Sequence, residues 1–584
     1  MIHTCRRRVR PLLLATAAGA VLAVGSAAHA QSNWASPVDG SWFDVSRWTS
    51  GVPLAATPVT LGLSGPYTVS LQNNGGGQCG TLTISNPSVL LSIFDNAQLS
   101  VSGNIVNAGL IQISGPGAPG NLTRLAVNSA NVVHSGGGIL RLAAIGNGDN
   151  DSAYITNSPA CGLTNAAGST VAGAGRIYAP FSNSGTVNAD QSGKGLFLQQ
   201  FGKTNDGLIT ATNGGFIQLR TSMTQTANGV MQSSDNSPVQ IVTNGAVVSG
   251  GTLNGAGANS GIQYFGFCPV DGVTLQGVNA VTDASQVNIG AAGVVNNGTW
   301  TISSPAAPGN ATRIATGGVS TTISGNGTVR LQGIGGGNGD NDSAYITYGT
   351  IADVLTNAAT HSIRGYGRVH APLSNLGTVN ADIAGKGIFM VDRPKWNNST
   401  MTATNGGVLQ FRTSLTQNAS GVVLSSDNSV VQFSNWGLVE GGTLNGAGAG
   451  GGVQFYGNGQ LNSVTLLNNS MVMDATQVNI REGGVVNNGL WVVSNPAAPG
   501  NATRISTGGT GLPTSATISG TGTIRLQGVA GGNGDNDSSY LTYGTVNDVL
   551  TNAAGHSIAG YGRIYSQLVN NGAVNADVGG KGIF

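Results

Sequence analysis

The amino-acid sequence predicts an all-β fold of the parallel β-helix (β-solenoid) class, built from duplicated units of about 190 residues. Three observations predict it. Short segments such as GTLTIS, GLIQIS and GTVRLQG alternate apolar and polar residues, turns rich in Gly and Asn separate these segments, and long blocks of sequence return at a nearly constant interval. Strands this short can bury their one apolar face by stacking on a neighbouring coil.

The first 30 residues have the organisation of a secretory signal peptide. CRRRVR is basic, PLLLATAAGAVLAVGSA is apolar, and residues 28–30 (AHA) match an A-x-A cleavage site. The alternative, a transmembrane anchor, needs a longer apolar run, and no later stretch supplies one. We therefore expect an exported chain whose mature form begins near Gln31 and has no transmembrane span.

Residues 31–75 are expected to form an N-terminal cap module. This segment holds three closely spaced tryptophans, Trp34, Trp42 and Trp48. The end coil of a solenoid exposes core side chains and strand edges, so bulky side chains are needed to cover it. A tryptophan cluster that stacks on sugar rings is the alternative.

Residues 76–584 are expected to form the solenoid itself. Self-comparison divides it into long repeats at 95–282, 283–473 and 474–584, which share blocks such as APGN(L/A)TR and GKG(L/I)F. The last repeat is incomplete, which predicts that the sequence is a fragment of a longer protein. A repeat of this length corresponds to eight or nine coils, or roughly 40 Å of rod. A set of β-sandwich domains or a propeller is the alternative architecture.

The amino-acid composition argues against some classes of partner and against a disordered chain. The chain is rich in Gly, with 94 in 584 residues, and in Asn, and its formal net charge is +1. Such a charge gives no electrostatic reason to expect nucleic acid or an anionic membrane as a partner. An apolar share of 40% is too high for a disordered chain. Asn side chains at equivalent turns are expected to stack into ladders of amide hydrogen bonds along the rod.

Several segments resemble those of a group of large exported bacterial proteins. They are GSWFDVSRWTSGVP, YTVSL, CGTLTIS and HSIRGYGRVHAPLSNLGTVNAD. The group comprises β-helical surface or extracellular proteins akin to autotransporter passengers and filamentous adhesins. The resemblance implies a right-handed β-helix, a location outside the cell or on the bacterial surface, and a structural or adhesive role. It carries over no catalytic residue.

An acidic loop occurs once in each long repeat. GNGDNDSAYIT occupies residues 146–156 and 337–347, and GNGDNDSSYLT occupies 532–542. Its carboxylates are similar to those of calcium-binding β-rolls, although a β-roll needs tandem copies to share each ion. We expect an Asx-type turn whose carboxylates accept backbone N–H groups, and no cofactor. The candidate calcium ligands are Asp149, Asp151, Asp340, Asp342, Asp535 and Asp537.

Strand alternation places one arginine of each repeat on the outside of the rod, at Arg141, Arg330 and Arg525. Recurring at roughly 40 Å, these arginines could present a periodic face to an anionic extracellular polysaccharide or cell-surface glycan. The alternative is that each arginine pairs with an aspartate of a neighbouring coil.

No enzyme activity is predicted. The 23 acidic residues are scattered, whereas a polysaccharide-cleaving site needs carboxylates that converge in one groove. His361 and His556 occupy equivalent places where the first repeat has Ser169. A metal-binding or catalytic histidine is not expected to vary in this way, so all four histidines after the signal peptide, which include His134 and His370, are predicted to lie on the surface.

Three cysteines, Cys79, Cys161 and Cys268, remain after the signal peptide. Their wide spacing predicts small buried side chains, with one disulfide and a leftover thiol as the alternative.

Three functions remain, in this order. The first is a structural or adhesive surface rod without catalysis. The second is an extracellular carbohydrate-binding repeat protein, and the third is a polysaccharide-degrading β-helix enzyme.

Overall fold

The computed structural model describes most of the chain after the signal peptide: residues 30–114, 122–146, 148–149, 153–157, 160–282, 284–303, 311–334, 337–340, 344–448, 451–473, 475–494, 502–508, 514–529, 532–535 and 539–584. Residues 1–29 of the predicted signal peptide, and the candidate ligands Asp151, Asp342 and Asp537, lie outside the described residues.

The described residues form a parallel β-solenoid of 65 strands, which confirms the predicted fold class and excludes the sandwich and the propeller. Each strand pairs in parallel with the strand one coil below and one coil above. A coil has three sides, so the rod has three faces, named here I, II and III in the order in which the chain visits them. Among the described residues there is one 3-10 helix, Val45–Arg47, which lies near the start of the rod.

Four long strands pass from one face to the next and belong to two faces each: Thr170–Ile177 and Val273–Val281 run from face II to face III, and Ser362–Val369 and Val464–Val472 run from face III to face I.

Face I contains the strands that carry the first ladder of buried amides. Its other strands are Ser32–Asn33, Val59–Leu61, Leu82–Ile84, Ile105–Asn107, Val132–Ser135, Leu163–Asn165, Phe181–Asn183, Lys203–Asn205, Met223–Gln225, Val248–Ser249, Phe267–Asp271, Gln286–Ile289, Thr312–Thr316, Ala344–Thr347, Gly387–Met390, Val408–Phe411, Val430–Ser434, Gly452–Tyr456, Leu490–Ser494, Thr523–Gln527, Ser557–Tyr561 and Ala573–Asn575.

Face II follows each face I strand along the chain. Its other strands are Gly40–Ser41, Tyr67–Leu71, Val89–Ile93, Leu110–Ser114, Ile139–Ala143, Thr186–Ala189, Leu208–Ala211, Val230–Gln232, Thr252–Gly255, Val294–Asn296, Thr321–Ser324, Leu355–Asn357, Leu373–Asn375, Lys395–Asn397, Leu415–Gln417, Leu438–Glu440, Asn458–Asn462, Gln477–Ile480, Thr503–Thr507, Ser539–Tyr543 and Arg563–Ile564.

Face III completes each coil. Its other strands are Gly76–Cys79, Gln98–Val101, Thr123–Val127, Ala153–Asn157, Gly195–Leu198, Phe216–Leu219, Val239–Ile241, Ile262–Tyr264, Thr299–Ser303, Thr328–Gln332, Thr378–Ala381, Thr400–Ala403, Val422–Ser425, Thr443–Gly446, Val485–Asn487, Ser515–Ser519, Val549–Asn552 and Gln567–Asn570.

A continuous apolar core fills the inside of the three faces. In the strand Thr328–Gln332, Val329 and Leu331 are buried while Arg330 points outward, as strand alternation predicts. Each fully buried aliphatic side chain of this kind contributes about 1.5–3 kcal/mol. The core therefore extends along the whole rod and holds each coil to its neighbours.

One sequence repeat advances the rod by eight and one-third coils. Gln98 lies on face III, and nine coils further along that face lies the strand Thr299–Ser303. Gln286, the equivalent of Gln98 in the second repeat, lies two sides before that strand, on face I. Gln477, the third equivalent, lies on face II. Each repeat is thus turned by about 120° from the previous one and displaced by roughly 40 Å along the axis.

The three clustered tryptophans fill the first coils. Trp34, Trp42 and Trp48 are at most 5% exposed, and the rings of Trp34 and Trp42 each lie edge-on to that of Trp48 at 5.0 Å. The Trp48 indole N–H donates to the carbonyl of Trp42 at 2.7 Å. Because these rings are buried, they pack the start of the core and do not offer a platform for sugar rings.

Buried amides form a ladder at one corner of each repeat, as predicted. In the first repeat the side-chain amide of Asn165 donates to Asn183, Asn183 donates to Asn205, and Asn205 donates to Gln225, each at 2.9 Å. Every rung also donates to a backbone carbonyl of the next coil. The second ladder joins Asn357, Asn375, Asn397 and Gln417, and the third joins Asn552 and Asn570.

The prediction of surface histidines is wrong for three of the four. His134, His361 and His556 are at most 1% exposed, and each lies at the start of an amide ladder. The Nδ1 atom of His361 lies 2.7 Å from Asn357 Oδ1, and its Nε2 atom lies 3.0 Å from Asn296 Nδ2. His370 is half-buried and contacts Asp392.

The histidine is present in every repeat, but it comes from two different places in the sequence. His134 lies in a strand and pairs in register with Asn165. In the second repeat, Ile323 takes that strand position, and the ring comes from His361 at the following turn. Sequence comparison alone pairs His361 with Ser169 and therefore hides this exchange.

Candidate functional site

An alternating column of arginine and aromatic side chains lies on the outward side of the strands in each repeat, where Tyr154 and Phe197 are covered and only 7% and 2% exposed. On face III, register pairing stacks Gln98, Arg124, Tyr154, Arg176 and Phe197 on successive coils. A ladder of glutamines continues the column, in which Gln218 donates to Gln240 at 2.8 Å.

Equivalent columns occur in the other repeats. The second lies on face I and contains Gln286, Arg313, Tyr345, Arg368 and Phe389, and the third lies on face II and contains Gln477, Arg504, Tyr540 and Arg563. The three columns therefore point in three directions around the rod.

The acidic loop joins this column through its first aspartate. Asp149 accepts from Arg176 at 2.7 Å and, through both carboxylate oxygens, from Arg220 at 2.8 Å. In the second repeat, Asp340 contacts Arg368 at 2.9 Å and Arg412 at 2.7 Å. The aspartate thus connects arginines from separate coils and acts as a clamp between them.

The third repeat has the first half of this clamp, an ion pair between Asp535 and Arg563 at 2.6 Å. The expected Asx-type turn is also present, but an asparagine forms it. The side chains of Asn338 and Asn533 accept the backbone N–H groups of Asp340 and Asp535 at 2.8 Å. The aspartates remain available for arginine, which sequence reasoning missed because the partners are up to 72 residues away.

The arginines also set the charge state of the loop. Hydrogen bonding to Arg220, assisted by Arg176, lowers the pKa of Asp149 below its usual value despite partial burial. For Asp340, partial burial raises the pKa, but hydrogen bonds from Arg412 and Arg368 outweigh burial and leave the pKa lowered. These carboxylates are ionised at neutral pH, with their oxygens directed at guanidinium groups.

Replacing Asp149 by Asn is expected to lower the free energy of unfolding by about 2 kcal/mol, because two partly buried arginines lose a charge-assisted partner. Urea unfolding of the two proteins measures the difference. The exposed Asp206 gives the control variant Asp206→Asn, for which little change is expected. A loss as small as the control's would contradict the clamp.

Calcium is expected to leave the melting temperature unchanged, since guanidinium groups already saturate the Asp149 and Asp340 carboxylates. A rise in melting temperature on calcium titration that Asp149→Asn abolishes would make the loop a metal site instead. Among the residues that the structure describes, no three His, Cys, Asp or Glu side chains converge as metal ligands.

The three candidate glycan-contacting arginines pair with aspartates two coils away. Arg141 forms a two-pronged contact with Asp190 at 3.1 and 2.8 Å. Arg525 and Asp577 lie 3.1 Å apart, and Arg330 and Asp382 lie 3.7 Å apart. Arg364 lies on the coil between Arg330 and Asp382, at the position that Ala172 occupies in the first repeat.

These arginines do not form one periodic face. Arg141 lies on face II, Arg330 on face III and Arg525 on face I. The 120° turn between repeats separates them around the rod, and the cross-coil pairing considered from the sequence accounts for their contacts.

A groove opens beside the column in the first repeat. Its cavity of about 520 Å³ is lined by Arg124, Tyr154, Tyr178, Phe201 and Gln200, together with Leu122, Thr156, Asn157 and Ala160. The rings of Tyr154 and Tyr178 lie 5.5 Å apart at 62°. Phe201 is 39% exposed. Tyr154 belongs to the repeated segment 146–156, but the sequence alone does not connect it with Tyr178 or Phe201.

Two buried lysines occupy core positions of strands, where the sequence pattern predicts apolar side chains. Lys203 and Lys395 are at most 2% exposed. The Lys395 ammonium donates to the carbonyls of Ala371, Val391 and Arg393 at 2.9, 3.0 and 2.7 Å. Burial lowers the pKa of each lysine to about 7. Three carbonyls match the three N–H groups, so each lysine closes a coil corner.

The cysteines behave as small core side chains. Cys79 and Cys268 are fully buried free thiols, and burial raises the pKa of the Cys79 thiol to about 12. Cys161 is half-buried and packs against the core.

Fold and surface together define a parallel β-solenoid whose duplicated unit repeats one arginine–aromatic column on three faces. Comparison with models of known protein families gives no match, and comparison with curated proteins gives no significant match. No helix in the described ranges is long and apolar enough to cross a membrane.

Proposed function

We propose that this protein is an exported structural rod that acts by adhesion at the bacterial cell surface or outside the cell, without catalysis. The observation that carries the proposal is the turn of about 120° between repeats, which presents the same column in three directions at steps of roughly 40 Å. Such an arrangement suits contact with several partners at once, where weak sites add up to strong attachment.

The length of the rod is suited to holding a binding site away from the surface to which the protein is attached. Face I has about 24 stacked layers, which corresponds to a length of roughly 110 Å. Likeness in sequence to autotransporter passengers and filamentous adhesins supports the same role, and so does the signal-peptide organisation of residues 1–30.

Adhesion and export are tested separately. Beads coated with residues 31–584 should attach to bacterial or polysaccharide surfaces more strongly than beads coated with one repeat, because more columns engage. Equal attachment would contradict multivalent adhesion. A reporter fused after residue 40 should be exported, and Leu13→Arg in the apolar run should block its export. Export that survives this change would contradict the signal peptide.

Carbohydrate binding is the second candidate function, and the groove beside Tyr154 favours it. Ligand sites are concave and mostly apolar with a few placed polar groups, and this groove has that composition.

A further inference from the structure

We propose that the groove of the first repeat binds an anionic sugar chain, an oligosaccharide whose rings carry carboxylate or sulfate groups. This inference rests on the proposed adhesive function and names the ligand class of one of its sites.

The groove has the shape and the apolar surface that a sugar chain needs. Tyr154, Tyr178 and Phe201 come from three successive coils, so their rings follow one another along the rod axis. The cavity of about 520 Å³ lies within the range of ligand pockets. The exposed Phe201 and the half-buried Tyr178 offer their rings to the C–H faces of sugars, and the buried Tyr154, 7% exposed, packs against Tyr178. Gln200 and Thr156 provide hydrogen-bonding groups for hydroxyls.

One charge at the groove, that of Arg124, has no partner among the residues that the structure describes. Arg176 is bound by Asp149 and also donates to the Tyr178 hydroxyl at 2.6 Å. Within the described part of the chain, the Arg124 guanidinium makes no side-chain hydrogen bond or ion pair, and its Nε atom is buried without a partner. A guanidinium with unused donors binds carboxylate or sulfate oxygens through two parallel hydrogen bonds. The ligand should therefore be an acidic sugar.

In the second repeat, charged side chains take the same place. Its equivalents of Gln200 and Phe201 are Asp392 and Arg393. Asp392 contacts His370 at 2.7 Å, and the Arg393 guanidinium lies 5.4 Å from the ring centre of Tyr348. In the second repeat, the charged side chains of Asp392 and Arg393 therefore occupy the region that is open in the first repeat. We therefore assign one site per chain to the first repeat and none to the second.

Titration calorimetry on residues 31–584 tests this assignment with three probes: oligogalacturonate, which carries carboxylates, sulfated dextran oligosaccharides, and neutral maltooligosaccharides. One of the anionic probes should bind with one site per chain and weaken as salt is added. The better anionic probe identifies the acidic group. Equal binding of the neutral probe, or binding of none of the three, would overturn the proposal.

Three variants locate the site. Arg124→Gln should weaken binding at least tenfold, and the double change Gln200→Asp with Phe201→Arg, which copies the second repeat, should abolish it. Arg141→Gln, on another face, should bind as the unchanged protein does. Circular dichroism and the melting temperature show whether each variant is folded. Unchanged affinity of folded Arg124→Gln would sink the assignment.

The two proposals fail in different ways. Beads that attach to surfaces while the calorimeter detects no sugar binding would overturn the sugar site and leave the adhesive rod. Sugar binding without attachment of the beads would overturn adhesion and leave the site.

Discussion

Replacing Asn183 by Ala is expected to lower the free energy of unfolding by about 3–5 kcal/mol, the sum of several buried polar groups left without partners. The Asn183 amide accepts from Asn165 and donates to Asn205, both at 2.9 Å, and it lies 3.1 Å from the carbonyl of Leu208. Asn183 is only 1% exposed, so the bonds lost at this buried corner are not replaced by bonds to bulk water.

Urea unfolding and hydrogen exchange of the neighbouring coils measure this loss. Asn375→Ala, the matched change in the second repeat, should cost a similar amount because Asn375 has the same contacts. Asn228→Ala at an exposed turn is the control and should cost less than about 0.5 kcal/mol. If all three variants were equally stable, the amide ladders would not stabilise the rod.

Acid should destabilise the protein between about pH 6.5 and pH 4 through its buried histidines. Burial lowers the pKa of His361 and His556 from 6.5 to about 4, and burial also lowers that of His134. In this window the unfolded chain binds protons that the folded chain does not, so stability falls as the pH falls. When the pH is well below 4, protonation of His361 and of His556 should each lower the free energy of unfolding by about 3 kcal/mol.

The hydrogen-bond geometry also fits a neutral ring. A neutral His361 donates from Nδ1 to Asn357 and accepts at Nε2 from Asn296, which is the pattern that the ladder needs. Protonation puts a second N–H against the Asn296 amide, so two donors face each other. The contribution of the Asp149 and Asp340 carboxylates to the stability of the fold is lost only below about pH 3.8, because their pKa values are lowered in the folded protein. The two pH windows can therefore be separated.

Thermal melts at pH 7, 5 and 4 test the histidine effect. The double variant His361→Gln with His556→Gln should show a smaller loss between pH 6.5 and pH 4 than the unchanged protein. Asn228→Ala, at an exposed turn, should keep the full loss. A double variant with the same acid sensitivity as the unchanged protein would contradict the account.

The architecture could be predicted from the sequence because strands that stack on one another need alternating apolar and polar residues. Val329 and Leu331 alternate with Arg330, and the parallel solenoid follows from many such segments. Asn at repeated turns likewise predicted the ladders, because identical residues at one level of successive coils must meet.

The turn between repeats could not be predicted, because coil length is not constant. The coil that separates the register partners Leu140 and Val171 is much longer than the next coil, which separates Val171 from its partner Val187. The acidic loop was misread for a related reason. Its partner Arg220 is 71 residues from Asp149, and only the stacked coils bring the two together.

The most direct test of the account is the register where the first repeat meets the second. In a protein with Cys79, Cys161 and Cys268 replaced by Ala, cysteines introduced at Ala280 and Thr301 should form a disulfide on mild oxidation, because these residues are register partners on face III. Cysteines at Gln263 and Gln286 should not, because they lie on different faces. A disulfide between positions 263 and 286, with none between 280 and 301, would mean that the repeats stack in line and would contradict the three-way display.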